Sequence, residues 1–418
     1  MAASVEVIER NAAIKARLSQ VTDLIEELCD LSIAQGQDPT LDENGQRNQT
    51  HRAVVEEVWK LLYTIRGPVD SIFSHFENAA HTSALRALME MGVFTSLPQD
   101  GSSKTADSLA QELSVDKDLL VRLLRITTIW GPFKEDDIET YSHTPYSLVY
   151  LIPGLQSTFK LMADEGHPVW VQWSKFFQTH GWVNPVDNVK SPWSFIHGTG
   201  DKTAWEYLAQ FPERFQAFND AMQAQTSATV WTVELYPFAQ ALAEVPSSAD
   251  TPLVVDIGGG KGLALRRIRE LVGKDVTGRF ILQDLQVVLD DATTEEVAGL
   301  EVQAVDFFQP QPVKGATVYY VRRVLHDWSD EVCVNILQNI ATAITDKVSQ
   351  RVVIAENIIP SKNTGVEAAW QDMTMMALGG TERTLKQWEA MLSKAGFQLH
   401  RTFIAPGTNY AAIEAFLI

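Results

Sequence analysis

Residues 254–262 read Val-Val-Asp-Ile-Gly-Gly-Gly-Lys-Gly, an apolar run closed by an acid and followed by glycines at 258, 260 and 262. The chain leaves a buried strand at Leu253–Val255, turns sharply and enters a helix near Leu263, so glycine is needed where a side chain would block the turn or a ligand. The dinucleotide pattern Gly-x-Gly-x-x-Gly sets a helix N-terminus against a pyrophosphate. Here Asp256, ahead of the glycines, suits a ligand with an ammonium group and no phosphate. The spacing is that of an S-adenosylmethionine loop, with Gly258, Gly259 and Gly260 as its cradle. Taken alone, it leaves an ordinary strand-to-helix corner as the lesser alternative.

Support lies downstream. Phe280-Ile281-Leu282-Gln283-Asp284 reads as a second buried strand ending in an acid, 28 positions after Asp256. That is where α/β cofactor domains place the carboxylate that takes ribose hydroxyls, so Asp284, with Leu285 beside it, is the expected ribose side of the site. A third strand, Val302–Val305, runs into Asp306 and Phe307, which suit a hydrogen bond and a stacking face for a purine; a helix cap or loop acid is an equal reading of Asp306 alone.

Strands expected at 253–257, 279–283, 301–305, 317–321 and 351–356 alternate with helices, which predicts a doubly wound, mostly parallel sheet. Two more, at 397–404 and 410–417, are joined by only Ala405–Asn409 and should pair antiparallel. The resulting fold class is α/β, a seven-stranded Rossmann-like sheet behind a helical N-terminal region. Domain limits are expected at 1–160 and 161–418, with pocket-forming helices over about 161–240.

In that N-terminal region Ile14, Leu18, Val21, Ile25 and Leu28 form one helical stripe, either core or a surface for a second subunit. The polar stretch Gly36–Thr50 reads as a loop. Over residues 68–145, short helices at Thr105–Leu113 and Asp116–Ile126 and a hairpin at Lys134–Tyr141 predict a winged-helix module. The hairpin reads Lys-Glu-Asp-Asp-Ile-Glu and would repel phosphates, so dimerisation is the expected role and nucleic acid is not an expected partner. The whole chain agrees: 34 basic residues against 53 acidic ones give a formal charge of −19, which disfavours nucleic acid and anionic membranes. No run of 18 apolar residues occurs, the N-terminus has no secretory pattern, and the cysteines, Cys29 and Cys333, lie far apart. These point to a reduced, cytoplasmic protein.

Aromatic residues crowd positions 170–195: Trp170, Trp173, Phe176, Phe177, Trp182, Trp193 and Phe195. Plain helix packing accounts for any one of them; as a cluster they predict a wall for a flat apolar ligand. Phe218 and Met222, four apart, would add an adaptable helix face. The chemistry is expected after the fourth strand, in Arg322-Arg323-Val324-Leu325-His326-Asp327-Trp328-Ser329-Asp330, where His326 would enter the crevice above the sheet. Glu356 ends the fifth strand and Glu382 sits in Gly379-Gly380-Thr381-Glu382-Arg383-Thr384.

These segments, in this order behind a winged-helix region, resemble the metal-independent small-molecule O-methyltransferases of the caffeic acid and flavonoid type and their fungal natural-product relatives. The resemblance implies His326 as general base with Glu356 and Glu382 flanking its ring, and Met373 on the substrate side; Trp170 from the aromatic run and Asp327 beside the histidine are further candidates for that side. It also places Arg322 at a cofactor position usually held by lysine. Function is then methyl transfer from S-adenosylmethionine to a phenolic or enolic hydroxyl of an aromatic or polyketide-like compound, by a homodimer and without a metal. An imidazole can accept the proton of a phenol as charge develops, and neighbouring carboxylates fix its tautomer. Members of this group that keep the cofactor as a fixed charge and catalyse dehydration or pericyclic cyclisation form the alternative reading. N- or C-methylation and a non-catalytic binding role are further ones.

Overall fold

The computed structural model describes residues 5–37, 45–243, 245, 248–273 and 276–418, in two compact units. One runs up to Asp164 and takes in Pro406–Thr408; the other comprises Glu165–Ala405 and Asn409–Ile418.

Two long helices, α1 (Val5–Gln37) and α2 (Gln46–Met91), open the first unit. The expected loop over Gly36–Thr50 is therefore corrected at both ends, and residues 38–44 lie outside the described part. Its polar residues after Gly45 begin a helix rather than a connection, because they lie mostly on its solvent face. Gly67, at φ 77°, interrupts α2 just before Pro68. On either side of that break exposed apolar residues recur at helical spacing: Val58, Leu62 and Ile65, then Val69, Ile72 and Phe76. Of the N-terminal stripe only Val21 is buried, while Leu18 and Ile25 are exposed.

The winged module follows as read. Helix α3 (Ala106–Leu113) is capped by Thr105, which accepts from the Ser108 N–H, and α4 (Lys117–Thr127) by Asp116, which accepts from the Leu119 N–H. Strands β1 (Lys104–Thr105), β2 (Phe133–Asp137) and β3 (Thr140–His143) make a small antiparallel sheet with β3 in the middle.

In the second unit β4 (Pro252–Ile257), β5 (Arg279–Asp284), β6 (Glu301–Ala304), β7 (Val318–Arg322), β8 (Arg351–Asn357), β9 (Phe397–Ile404) and β10 (Tyr410–Leu417) form one sheet in the order β6-β5-β4-β7-β8-β10-β9. The first five are parallel and β10 runs antiparallel to both β8 and β9. Both sheet faces are covered, one with Val255, Tyr319 and Ile354 at its centre and the other with Val254, Tyr320 and Val353, which is why these strands read as continuous apolar runs. The order reverses between β4 and β7, and in such sheets the ligand crevice opens at that point, beyond the carboxyl ends of the strands. Helices α5 (Pro212–Ala228), α6 (Leu263–Val272), α7 (Asp330–Ala341), α8 (Val366–Leu378) and α9 (Leu385–Lys394) complete what the site needs. No described helix is long and apolar enough to cross a membrane.

Candidate active site

The glycine loop leaves β4 with positive φ at Gly258, Gly260 and Gly262. At Gly259 close approach matters more: a Cβ there would lie 2.5 Å from Asp256 Oδ2 and 2.6 Å from Leu282 Cδ1. The N–H groups of Gly258 and Gly259 donate to the carbonyl of Gln283 at 2.9 and 3.2 Å, while that of Gly260 donates to Asp284 Oδ2 at 2.8 Å. The other oxygen of Asp284 accepts from the Leu285 N–H at 2.7 Å. Both expected ribose-side residues thus stand beside the loop. Asp306 closes a turn by accepting from the Phe308 N–H at 2.9 Å, and Phe307 lies 3.9 Å from where a Gly258 Cβ would be.

Beneath the loop Asp256 is 1% exposed and neither carboxylate oxygen has a hydrogen-bond partner among the described residues. Burial pushes this acid up to about 7, against the lowering influence of Arg322. The Tyr320 hydroxyl and Arg322 Nε are also buried and unpartnered. The fork of Arg322 turns instead to Thr229, whose carbonyl and hydroxyl it meets at 2.9 and 2.8 Å. A buried acid, hydroxyl and guanidinium nitrogen without partners, beneath a cradle that any Cβ at Gly259 would crowd, fit a small polar cofactor.

At the other end of the crevice a 3₁₀ turn over Leu325–Asp327 carries His326, 3% exposed. Its Nδ1 lies 2.9 Å from Glu382 Oε1 and 3.6 Å from Glu356 Oε2, and its Nε2 lies 3.7 Å from Asp327 Oδ1. In the neutral ring the short contact to a carboxylate assigns the proton to Nδ1, leaving Nε2 as the acceptor. Burial acts to lower the histidine, yet Glu356, Asp327 and Glu382 outweigh it and carry the group to about 9. Burial raises Glu356, with His326 opposing. Burial likewise works to raise Glu382, but the charge and hydrogen bond of the imidazole leave it below the usual range.

Glu356 does more than flank the ring. Its Oε1 accepts from the N–H groups of Val324 and Leu325, both at 3.0 Å, and of His326 at 3.4 Å. The acid at the end of β8 therefore fixes the backbone of the turn that leaves β7. Ring and acids bring ligating atoms within 4.8 Å of one another, near enough to share a cation. The ring proton and the three backbone donors meet Glu382 Oε1 and Glu356 Oε1, while the buried Glu356 Oε2 and Glu382 Oε2 have no hydrogen-bond partner among the described residues.

Residues not singled out from the sequence complete the frame. The Glu382 N–H donates to Asp372 Oδ1 at 2.9 Å, and Asn357 Nδ2 lies 3.5 Å from Glu382 Oε1. Asn188 Nδ2 donates to the carbonyls of Asp327 and Leu378 at 2.8 and 2.9 Å. A Cβ on Gly380 would stand 2.3 Å from the His326 carbonyl, so only glycine lets the Glu382 loop come this close. Arg383, fully buried, binds the turn from behind. Arg383 sits inside the quoted segment 379–384 and Asn357 directly follows Glu356, and their signal was a polar residue where a strand or turn must be buried; Asn188 and Asp372 had none.

The aromatic run is a partial correction. Phe176 packs on His180, Phe177 and Phe195, Trp193 stacks on His197, and Trp182 is 76% exposed, so most of the cluster is helix packing. Phe218 joins a neighbouring apolar cluster with Val169 and Trp193. Trp170 is the member that approaches α8, its ring centre 6.4 Å from that of Trp370; Met373, on the same helix, and Met222 are half-buried.

A family model described as an O-methyltransferase domain matches residues 180–398, and one described as an O-methyltransferase dimerisation domain matches residues 73–153. The O-methyltransferase opaF of Aspergillus ustus is 44% identical over 414 residues, covering 98% of this chain and 97% of that protein. Among solved structures, OxaC in complex with SAH and oxaline aligns with a TM-score of 0.86 and 31% identity over 98% of this chain and 100% of that one. A pericyclic reaction enzyme aligns with a TM-score of 0.79 and 26% identity over 96% and 100%.

Proposed function

The chain belongs to the O-methyltransferase family, and from that premise we propose that it methylates a phenolic or enolic hydroxyl of an aromatic or polyketide-like natural product, with His326 as general base. The observation that carries the reading is the buried His326–Glu382 contact of 2.9 Å beside Glu356 and Asp327. S-adenosylmethionine, when bound, supplies an electrophilic methyl group. The residues fitted to hold it are Gly258, Gly259, Gly260, Asp284 and Leu285, with Asp306, Phe307 and Arg322 at the margins. Binding of SAH by OxaC, a relative aligned over nearly the whole chain, supports that choice.

The work left to the protein is to align an oxygen and remove one proton. Glu382 holds the proton on Nδ1, so that Nε2 can take the acceptor's. Phenols titrate near ~10 and free imidazole near ~6.5. At about 9 His326 is nearly matched to a phenol, which makes the proton transfer close to level. Trp170, Phe218, Met222 and Met373 are the proposed substrate wall, with Asp327 beside Nε2.

We further infer a homodimer, because the exposed apolar rows of α2 run into the matched dimerisation region. Ile72→Asp with Phe76→Asp should convert the dimer to monomer in light scattering. Location in the cytoplasm accords with two free cysteines.

Methyl transfer is tested by incubating the protein with S-adenosylmethionine and candidate phenols and enols, following S-adenosylhomocysteine and acceptor mass together. Equal amounts of S-adenosylhomocysteine and methylated acceptor support it. A second reading draws on the likeness to a pericyclic reaction enzyme and on a histidine that is an imidazolium at neutral pH, hence a proton donor suited to dehydration. An isomerised or dehydrated acceptor with the cofactor intact favours that one.

A further inference from the structure

Among the described residues, the guanidinium of Arg383 is a fully buried charge next to the site that the proposed chemistry leaves unused. Its Nε donates to Asp330 Oδ1 at 2.8 Å, its Nη1 to the Leu325 carbonyl at 2.9 Å and its Nη2 to the Trp328 carbonyl at 2.7 Å. Its plane lies 5.3 Å from the ring centre of Trp388 on α9. Leu325 and Trp328 bracket His326, and Arg383 is bonded directly to Glu382. One rigid fork therefore joins the turn that carries the base to the loop that carries its orienting acid. Burying a guanidinium is costly, and filling the space beside Trp388 would not require one.

We propose that Arg383 is a positioning residue that clamps the chain before and after His326 and thereby fixes the Nδ1 to Glu382 contact on which the base depends. It rests on the reading of His326 as base and adds a residue that touches neither substrate nor cofactor. The geometry suits arginine specifically: three partners are met by one planar group, which a lysine cannot reproduce.

The other charged or titratable groups around the ring are Glu356 on β8, Asp327 on the turn, Arg323 at the end of β7, Asp330 and Cys333 on α7, and Asp372 on α8. Arg383→Lys keeps the charge among them and removes only the fork, so an electrostatic role alone would leave the histidine unchanged. The measurement is an NMR titration of the labelled His326 ring in the full-length protein, with steady-state kinetics alongside. In Arg383→Lys the midpoint should fall from about 9 by about one pH unit as the contact lengthens. Plateau kcat should fall about tenfold or more, with KM for the acceptor changed less than about threefold. Asp330→Asn, whose side chain is half-exposed, loosens the same fork with less risk to folding and should move both readouts the same way by a smaller amount. Folded variants with the parent's midpoint and kcat would overturn the proposal. Should Arg383→Lys not fold, Asp330→Asn alone decides. The titration needs no turnover, so it stands even if methyl transfer is not the reaction.

Discussion

At the His326 end of the crevice the groups that touch the ring are themselves held: Glu356 by backbone N–H groups of the turn, Glu382 by its own backbone N–H, which donates to Asp372, and by the ring. At the Gly258–Gly262 end Asp256 keeps both oxygens unpartnered, as do the Tyr320 hydroxyl and Arg322 Nε. The first is a site whose base and orienting acid are already joined before any ligand arrives, with Glu356 Oε2 and Glu382 Oε2 the oxygens left unpartnered among the described residues; the second is a cradle whose acid, hydroxyl and guanidinium nitrogen are still to be met. A preorganised base costs no rearrangement at the moment of reaction. A cradle with unmet polar groups gains stability when its ligand binds. The contrast assigns rate to one end and affinity to the other.

The largest expected effect breaks the first end alone. His326→Ala should cost about 10²- to 10⁴-fold in kcat/KM, while calorimetric cofactor affinity stays close to the parent's. A comparable loss of cofactor affinity would mean that the two ends are not separable. Next, Glu382→Gln removes one of the carboxylates that raise His326. With His326 as the proposed base the neutral ring would be the active form, so kcat/KM should climb with pH and level off above about 9 in the parent. In the variant the climb should come at lower pH and end on a plateau about tenfold lower. The sign for stability agrees. A histidine raised above its unfolded value of 6.5 contributes fully below that pH and loses its contribution as pH rises through about 9, a loss the variant should show earlier.

The smallest effect belongs to the cradle. Asp256 is raised from 3.8 to about 7, so the folded protein pays to ionise it as pH rises through that window. Asp256→Asn should raise the melting temperature of the cofactor-free protein at pH 8 by about 2 °C and weaken cofactor binding. A lower melting temperature would show that Asp256 supports the loop even without ligand.

How much of this was legible depended on how local the signal is. The glycine loop, the seven strands and the placing of His326 rest on short patterns, and the strands lie within a residue or two of the expected limits. Helix α2 was not readable because Gly67-Pro68 breaks the pattern at mid-length and its polar first turns look like a connection. The aromatic run misled because composition cannot tell a ring that packs on its own helix, as Phe176 does on His180, from one that faces a ligand. Glu356 was found, but not its hold on the backbone of the turn, since acid and turn are about 30 positions apart and only adjacent strands bring them together. Asn188, 139 positions from Asp327, is the same problem at longer range.

The contrast between a preset base and a ligand-completed cradle is tested most directly by titrating His326 by NMR in the cofactor-free protein and again with the cofactor's demethylated product bound. The expected result is a midpoint near 9 in both states, with changes on binding confined to residues around Gly258–Gly262. A midpoint near 6.5 in the free protein that rises only on binding would contradict it.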